Sequence, residues 1–282
     1  VSVSVSVSVS VSVSVSVSVS VPVSVSRWEF CPTRSPAPNP GSPADRYGAG
    51  MVNFVLVAGA RLGAWAWDEV VPYLRAAGHG VHPVTLSGLA DKRGVPAGQQ
   101  IHVQDIVDEV ERKDLRDVVL VGHSYSGIPV GQAAERIGDR LARVVFVDSS
   151  VPTDGESFAS AWPDGGAELK ASIAENGGFW PLVPAAHYDG QGLTDEQIAR
   201  IVGGSTPHPG ASLTEPAVLA RPLGDLPSTY IKCLLAGAEP SDDVAKLLTS
   251  DHWRLVELDT GHWPMFSQPR ELAQLFLAGA GE

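Results

Sequence analysis

A chain of 282 residues with a formal net charge of −12 is long enough for a sizeable core, and its charge has the wrong sign for nucleic acid or an anionic membrane surface. Its two cysteines, Cys31 and Cys233, offer neither a disulfide framework nor a cysteine metal site. No metal or cofactor is expected.

The first 26 residues alternate Val and Ser, interrupted at Pro22, and residues 27–50 are rich in Pro, Gly and Arg. The run has no basic start, no continuous apolar stretch and no small-residue cleavage site, so it is a poor secretory signal. Being half serine, it does not suit a membrane span either. Residues 1–50 are expected to form a low-complexity leader that adds nothing to the fold, with the natural start at Met51. Without an export signal, the cytoplasm is the simplest compartment. From Met51 about 230 residues remain, enough for one α/β domain.

FVLVAG (54–59) is a continuous apolar run of the kind a strand covered on both faces requires. A helix is expected from Trp67 to Ala77, stopped by Gly78, then a strand over GVHPVTL (80–86). Residues 101–115 repeat apolar positions at helical spacing. DVVLVG (117–122) is a third strand, followed by a helix over 125–137. ARVVFVD (142–148), CLLAG (233–237) and RLVELD (254–259) are the fourth, fifth and sixth strands, and a last helix covers 268–279. Strands alternating with helices imply a parallel sheet flanked by helices on both faces.

Residues 150–228 break this rhythm, with many prolines and glycines and no clear buried strand. An insert of that length is usually functional. It is expected to be a mostly helical cap over the C-terminal edge of the sheet, where ligands bind in such folds. The core would then comprise 51–149 and 229–282. The cap aromatics Trp162, Phe179 and Trp180 are candidate substrate-binding residues.

VLVGHSYSG (119–127) carries the chemistry. A nucleophile elbow turns sharply from strand into helix and lifts one side chain above the sheet, which requires small residues two before and two after it. Ser124 meets the requirement with Gly122 and Ser126. Ser126 does not, because Ile128 would stand two residues after it. A serine hydroxyl needs a base within hydrogen-bond reach. His262, in LDTGHWPM after the last strand, is the candidate, with Gly261 allowing the turn. His123 sits in the elbow and is expected to point elsewhere; the remaining histidines fall in helices, loops or the cap. A carboxylate should hold the imidazole's tautomer. Asp148, ending the fourth strand, and Glu239, after the fifth, both qualify, and only one is expected to serve. The oxyanion donors expected are the backbone N–H of Tyr125 and that of Ala60 in the loop after the first strand.

FVLVAGARLGAWAWDEVVPYLRAAGHGV, GHSYSG and LDTGHWPM resemble the α/β-hydrolase superfamily, in the branch of plant methyl esterases, hydroxynitrile lyases and small bacterial esterase-like hydrolases. The resemblance covers nearly all of 52–282, with the cap weakest. It implies an α/β-hydrolase fold with about six parallel strands, a cap inserted after the fourth, and a Ser-His-acid triad. Matching carries the nucleophile to Ser124, the base to His262 and the oxyanion donors to Ala60 and Tyr125. The family's usual His-Gly after the first strand is Ala58-Gly59 here, so a loop-stabilising histidine is missing. Related lyases place a lysine after the catalytic histidine and a threonine at the position of Gly59; this chain has Trp263 and a glycine. Both departures favour a serine hydrolase that cleaves a small hydrophobic ester or lactone. Lyase or carbon–carbon bond cleavage on the same triad, and a non-catalytic ligand-binding protein, are the alternatives. The oligomeric state is not legible. The expected start at Met51 is checked by the intact mass of the natively expressed protein; a product beginning well before Met51 would refute it.

Overall fold

The structure, a computed structural model, describes residues 50–280. The expected leader therefore lies, but for Gly50, outside the described residues. In chain order the elements are β1 (Asn53–Val57), α1 (Val71–Ala76), β2 (Gly80–Val84), α2 (Gln99–Arg112), β3 (Val118–His123), α3 (Gly127–Ile137) and β4 (Leu141–Val147). The cap follows, with α4 (Ala167–Glu175), β5 (Phe179–Trp180), α5 (Asp195–Gly204), β6 (His208–Pro209) and α6 (Gly210–Thr214). The chain then returns through β7 (Ser228–Cys233), α7 (Asp242–Leu247), β8 (Trp253–Leu258), α8 (Pro264–Ser267) and α9 (Pro269–Ala280).

Six parallel strands form one sheet in the order β2-β1-β3-β4-β7-β8. Their apolar runs divide between two cores because successive side chains point to opposite faces. Val55, Val57, Leu120, Val144 and Phe146 meet Val103, Ile106 and Val110 of α2 and Val130 and Ala133 of α3. Phe54, Leu56, Val119, Val121, Val145 and Val147 meet Val71 and Leu74 of α1 and Leu272 and Phe276 of α9. The run looks unbroken in sequence because both faces are covered. Chain order reverses direction between β1 and β3, and at such a switch the loops after the two strands part to leave a crevice.

The helix expected from Trp67 is shorter. Pro72 lacks an N–H and suits the first turn, so α1 begins at Val71, and Ala64–Trp67 forms a separate 3₁₀ turn. The fifth strand is displaced more. It runs over STYIKC (228–233), and Leu234–Ala236 is a 3₁₀ turn beyond it. Its polar residues hid it, yet Ser228, Thr229 and Lys232 are all buried, and Lys232 has a carboxylate partner on β4's end. The cap holds one feature with no sequence signal, the antiparallel β5–β6 ribbon, whose strands are only two residues each. The cap rests on both cores: Leu169, Ile173 and Leu213 join the first, and Ile201 joins the second. Gln197 also donates to the Phe266 carbonyl (2.6 Å), and Arg200 pairs with Asp68 and Glu69.

Among the described residues no helix is long and apolar enough to cross a membrane, and no group of His, Cys, Asp and Glu is arranged to hold a metal ion. Phe146, fully buried, stacks on Trp253 with ring centroids 5.1 Å apart. Phe146→Ala is expected to cost about 3–5 kcal/mol, seen as a fall in Tm of order 10 °C in thermal unfolding.

Candidate active site

β3 ends at His123, and the chain turns at once into a 3₁₀ turn over Ser124–Ser126 and then α3. Ser124 has φ of 56°, a left-handed conformation that costs a non-glycine residue about 1–3 kcal/mol unless its surroundings impose it. They do. A Cβ on Gly122 would lie 3.1 Å from the Gly127 backbone, and one on Gly127 would lie 2.1 Å from the Ser150 carbonyl. Ser126 does more than keep position 126 small. Its fully buried hydroxyl accepts from the His123 N–H (2.8 Å), and its one proton is shared between the carbonyls of Val57 (2.8 Å) and His123 (2.9 Å). That leaves Ser126 no route to a ligand and clamps the turn to β1.

Ser124 Oγ stands 2.9 Å from His262 Nε2, and His262 Nδ1 stands 2.7 Å from Asp148 Oδ2. A proton on Nδ1 donates to the carboxylate and leaves the Nε2 lone pair facing the serine hydroxyl. Asp148, itself at φ 41°, follows β4 directly. Its Oδ1 accepts from Lys232 Nζ (2.9 Å) and more weakly from the Cys233 N–H (3.4 Å). Burial alone would raise this carboxyl, but the hydrogen bonds and charges of His262 and Lys232 outweigh it and hold it at about 2. Glu239, the alternative acid, is exposed in the loop after β7, and Asp148 occupies Nδ1. Because β7 ends at Cys233, Glu239 lies well beyond the strand's tip instead of just after it.

Three loops are fixed around this pair by histidines whose tautomers are determined. The Gly59 N–H donates to His123 Nδ1 (3.2 Å), so His123 carries its proton on Nε2 and donates to the His262 carbonyl (2.7 Å). The Arg61 N–H donates to His208 Nδ1 (3.1 Å), so His208 Nε2 donates to Ser212 Oγ (3.0 Å). Burial, aided by the neighbouring His262, lowers the His123 pKa to about 3; burial also takes His208 well below the usual range. Ala60 lies between the two N–H groups so engaged, and among the described residues no loop hydrogen bond takes its own N–H. The histidine missing from the loop after β1 is thus replaced by one from the elbow and one from the cap ribbon. Neither stands out in sequence, since both act through contacts across 64 and 147 residues. The His262 N–H is held by Gln191 Oε1 of the cap (2.8 Å).

Ser124, His262 and Ala60 open on a cavity of about 270 Å³. Phe158, Trp162, Trp180 and Tyr188 of the cap and Trp263 of the core line it too. Trp162 and Trp180 meet edge to face with centroids 5.6 Å apart. Phe179 does not belong to it. Neighbouring residues of a strand point to opposite sides, so with Trp180 inward Phe179 is turned out, 45% exposed, lining a separate groove with Pro181 and Leu182. The Tyr125 side chain is buried against His102, Gln99 and Ser212, which leaves its backbone N–H, next to Ser124, as the part available to the site.

A sheet of this order, with a serine on the β3 turn and a histidine brought back from β8, is the α/β-hydrolase arrangement. The chain belongs to the alpha/beta hydrolase family, whose model matches residues 54–275, and within it stands among the carboxylesterase-like hydrolases. It is 29% identical over 244 residues to a carbendazim hydrolyzing esterase from Nocardioides sp. (strain SG-4G), covering 81% of this chain and 99% of that one. It is 28% identical over 269 residues to methylesterase 2 of Arabidopsis thaliana, covering 80% and 95%. Among solved structures, an extracellular alpha/beta-hydrolase from a Paenibacillus species shares the fold with a TM-score of 0.71 at 24% identity, over 82% of this chain and 99% of that one.

The neutral histidines make stability depend on pH. His123 and His208 are held unprotonated when folded, whereas the unfolded chain protonates them below about 6.5. Between about pH 6.5 and 3 the unfolded state binds more protons, so their contribution is complete above that window and is lost progressively on acidification through it. Tm measured from pH 7 to 4 should fall, and His208→Asn, which keeps an acceptor near the Arg61 N–H without titrating, should fall less steeply.

Proposed function

We propose that the protein hydrolyses a carboxylic ester or lactone of a small, largely hydrophobic substrate through an acyl-enzyme on Ser124. The observation that carries this reading is the unbroken hydrogen-bonded line from Ser124 Oγ through His262 to Asp148, at the floor of a cavity roofed by aromatic side chains. Ser124 Oγ attacks the ester carbonyl while His262 Nε2 takes its proton. The carbonyl oxygen becomes an oxyanion received by the N–H groups of Ala60 and Tyr125. Asp148, ionised at any ordinary pH, stabilises the imidazolium and holds its tautomer. His262 returns the proton to the departing alkoxide. A water molecule, deprotonated by the same nitrogen, then attacks the acyl carbonyl and releases the acid from Ser124.

The esterase relatives support ester cleavage. Two features speak against cyanohydrin cleavage: Trp263 packs edge-on against His262, and a Cβ at Gly59 would come within 2.8 Å of both His123 and Ser124, leaving no room for a threonine. Trp162 and Trp180 are assigned to the substrate's apolar part.

The decisive comparison is Ser124→Ala against Ser126→Ala, with a chromogenic short-chain ester and a fluorophosphonate probe. Ser124→Ala should lose both turnover and labelling, whereas Ser126→Ala, if folded, should keep labelling; retained labelling in Ser124→Ala would sink the reading. Asp148→Asn should lower kcat by about 10²–10⁴, while Glu239→Gln should leave it within about twofold.

A further inference from the structure

Arg61 follows the proposed oxyanion donor Ala60 directly and is only 7% exposed. Its φ is 69°, an unfavoured conformation for a side chain-bearing residue that turns it toward the cap. Its guanidinium carbon lies 3.5 Å from the centre of the Trp180 ring, and its Nε donates to the Pro181 carbonyl (2.8 Å). There its partners end. Nη2 is buried with no hydrogen-bond partner, and among the described residues no carboxylate forms an ion pair with this side chain. Burial lowers its pKa to about 10, with Tyr188 opposing, so it keeps its charge at neutral pH.

A buried guanidinium with no counter-anion is costly, and stacking on an indole recovers only part of that cost. The same side chain lines the cavity over Ser124, and no Asp or Glu lines that cavity with it. Asp148 is screened behind His262 and neutralised by Lys232. The cavity therefore has aromatic walls and one fixed, unmatched cation beside the place where the ester carbonyl would sit. At about 270 Å³ it suits a small molecule.

We infer that Arg61 is a specificity-determining residue that binds a carboxylate carried by the substrate, so that the preferred ester is the monoester of a short dicarboxylic acid. The inference rests on the hydrolase reading and replaces its largely hydrophobic substrate with one that is anionic at one end. The carboxylate pairs with the side of Arg61 that lines the cavity, Nη2 itself being closed off, and the ester a few bonds away then lies between Ser124 and the Ala60 N–H. The aromatic walls cover the chain in between.

The test compares kcat/KM, by methanol release at pH 7, for monomethyl glutarate and for methyl hexanoate, which lacks the charge. Wild type should favour the monoester, and Arg61→Met should shrink that ratio by about 10- to 100-fold, with Arg61→Lys retaining part of it. A purely structural role would lower both rates and leave the ratio where it was, which overturns the inference. Should Arg61→Met not fold, wild type alone decides: glutarate should inhibit methyl hexanoate cleavage competitively, and no inhibition overturns it. If methyl hexanoate is cleaved as well as the monoester, the hydrolase reading stands and the role of Arg61 falls. If neither ester is cleaved and the fluorophosphonate leaves Ser124 unlabelled, both fall.

Discussion

One buried imidazole connects the parts of this site that the sheet alone would leave apart. His123, the last residue of β3, receives the Gly59 N–H on one nitrogen and donates to the His262 carbonyl from the other. The loop after β1, the turn after β3 and the loop after β8 are thereby referred to a single rigid ring. That ring can do this only while neutral, since a protonated Nδ1 would repel the Gly59 N–H. Burial enforces neutrality. His208 repeats the device from the cap, so the backbone on either side of Ala60 is held by an acceptor that cannot be solvated away.

The fold was largely legible in the residues because it rests on local rules. Apolar runs such as FVLV and VVLV fit only strands covered on both faces, and the alternation with helices fits only a parallel sheet. The misplaced fifth strand shows where such rules give out. LLAG is the more hydrophobic stretch, but STYIKC forms β7, because Lys232 there is matched by Asp148 and its burial depends on a residue 84 positions earlier.

Within the site, the elbow was readable because it is a steric demand on five consecutive residues. Its acid was not, since which carboxylate meets His262 depends on where β7 stops. His208 and Gln191 lie outside any motif, and His123 and Arg61 lie within quoted stretches that do not state their roles: each is defined by a partner brought near only by the fold. Phe179 illustrates the same point on the smallest scale. It and Trp180 are indistinguishable by composition, and a two-residue strand sends one into the cavity and the other out.

Asp148 sits at the tip of the strand adjacent to the elbow's own, and only the histidine crosses from further away. The proposed chemistry then takes no side chain from the loop from Leu234 to Ser241, the segment in which an acid after β7 would have to be held, although its Leu235 N–H donates to the Thr260 carbonyl (3.1 Å) just before His262. That loop contains exposed Leu235 and Glu239 and glycine at 237 with φ of 116°. Beyond Leu235 it supplies no group to the proposed chemistry, and that outer part is therefore where length and composition can drift, or an insertion be grafted, without disturbing the line from serine to aspartate.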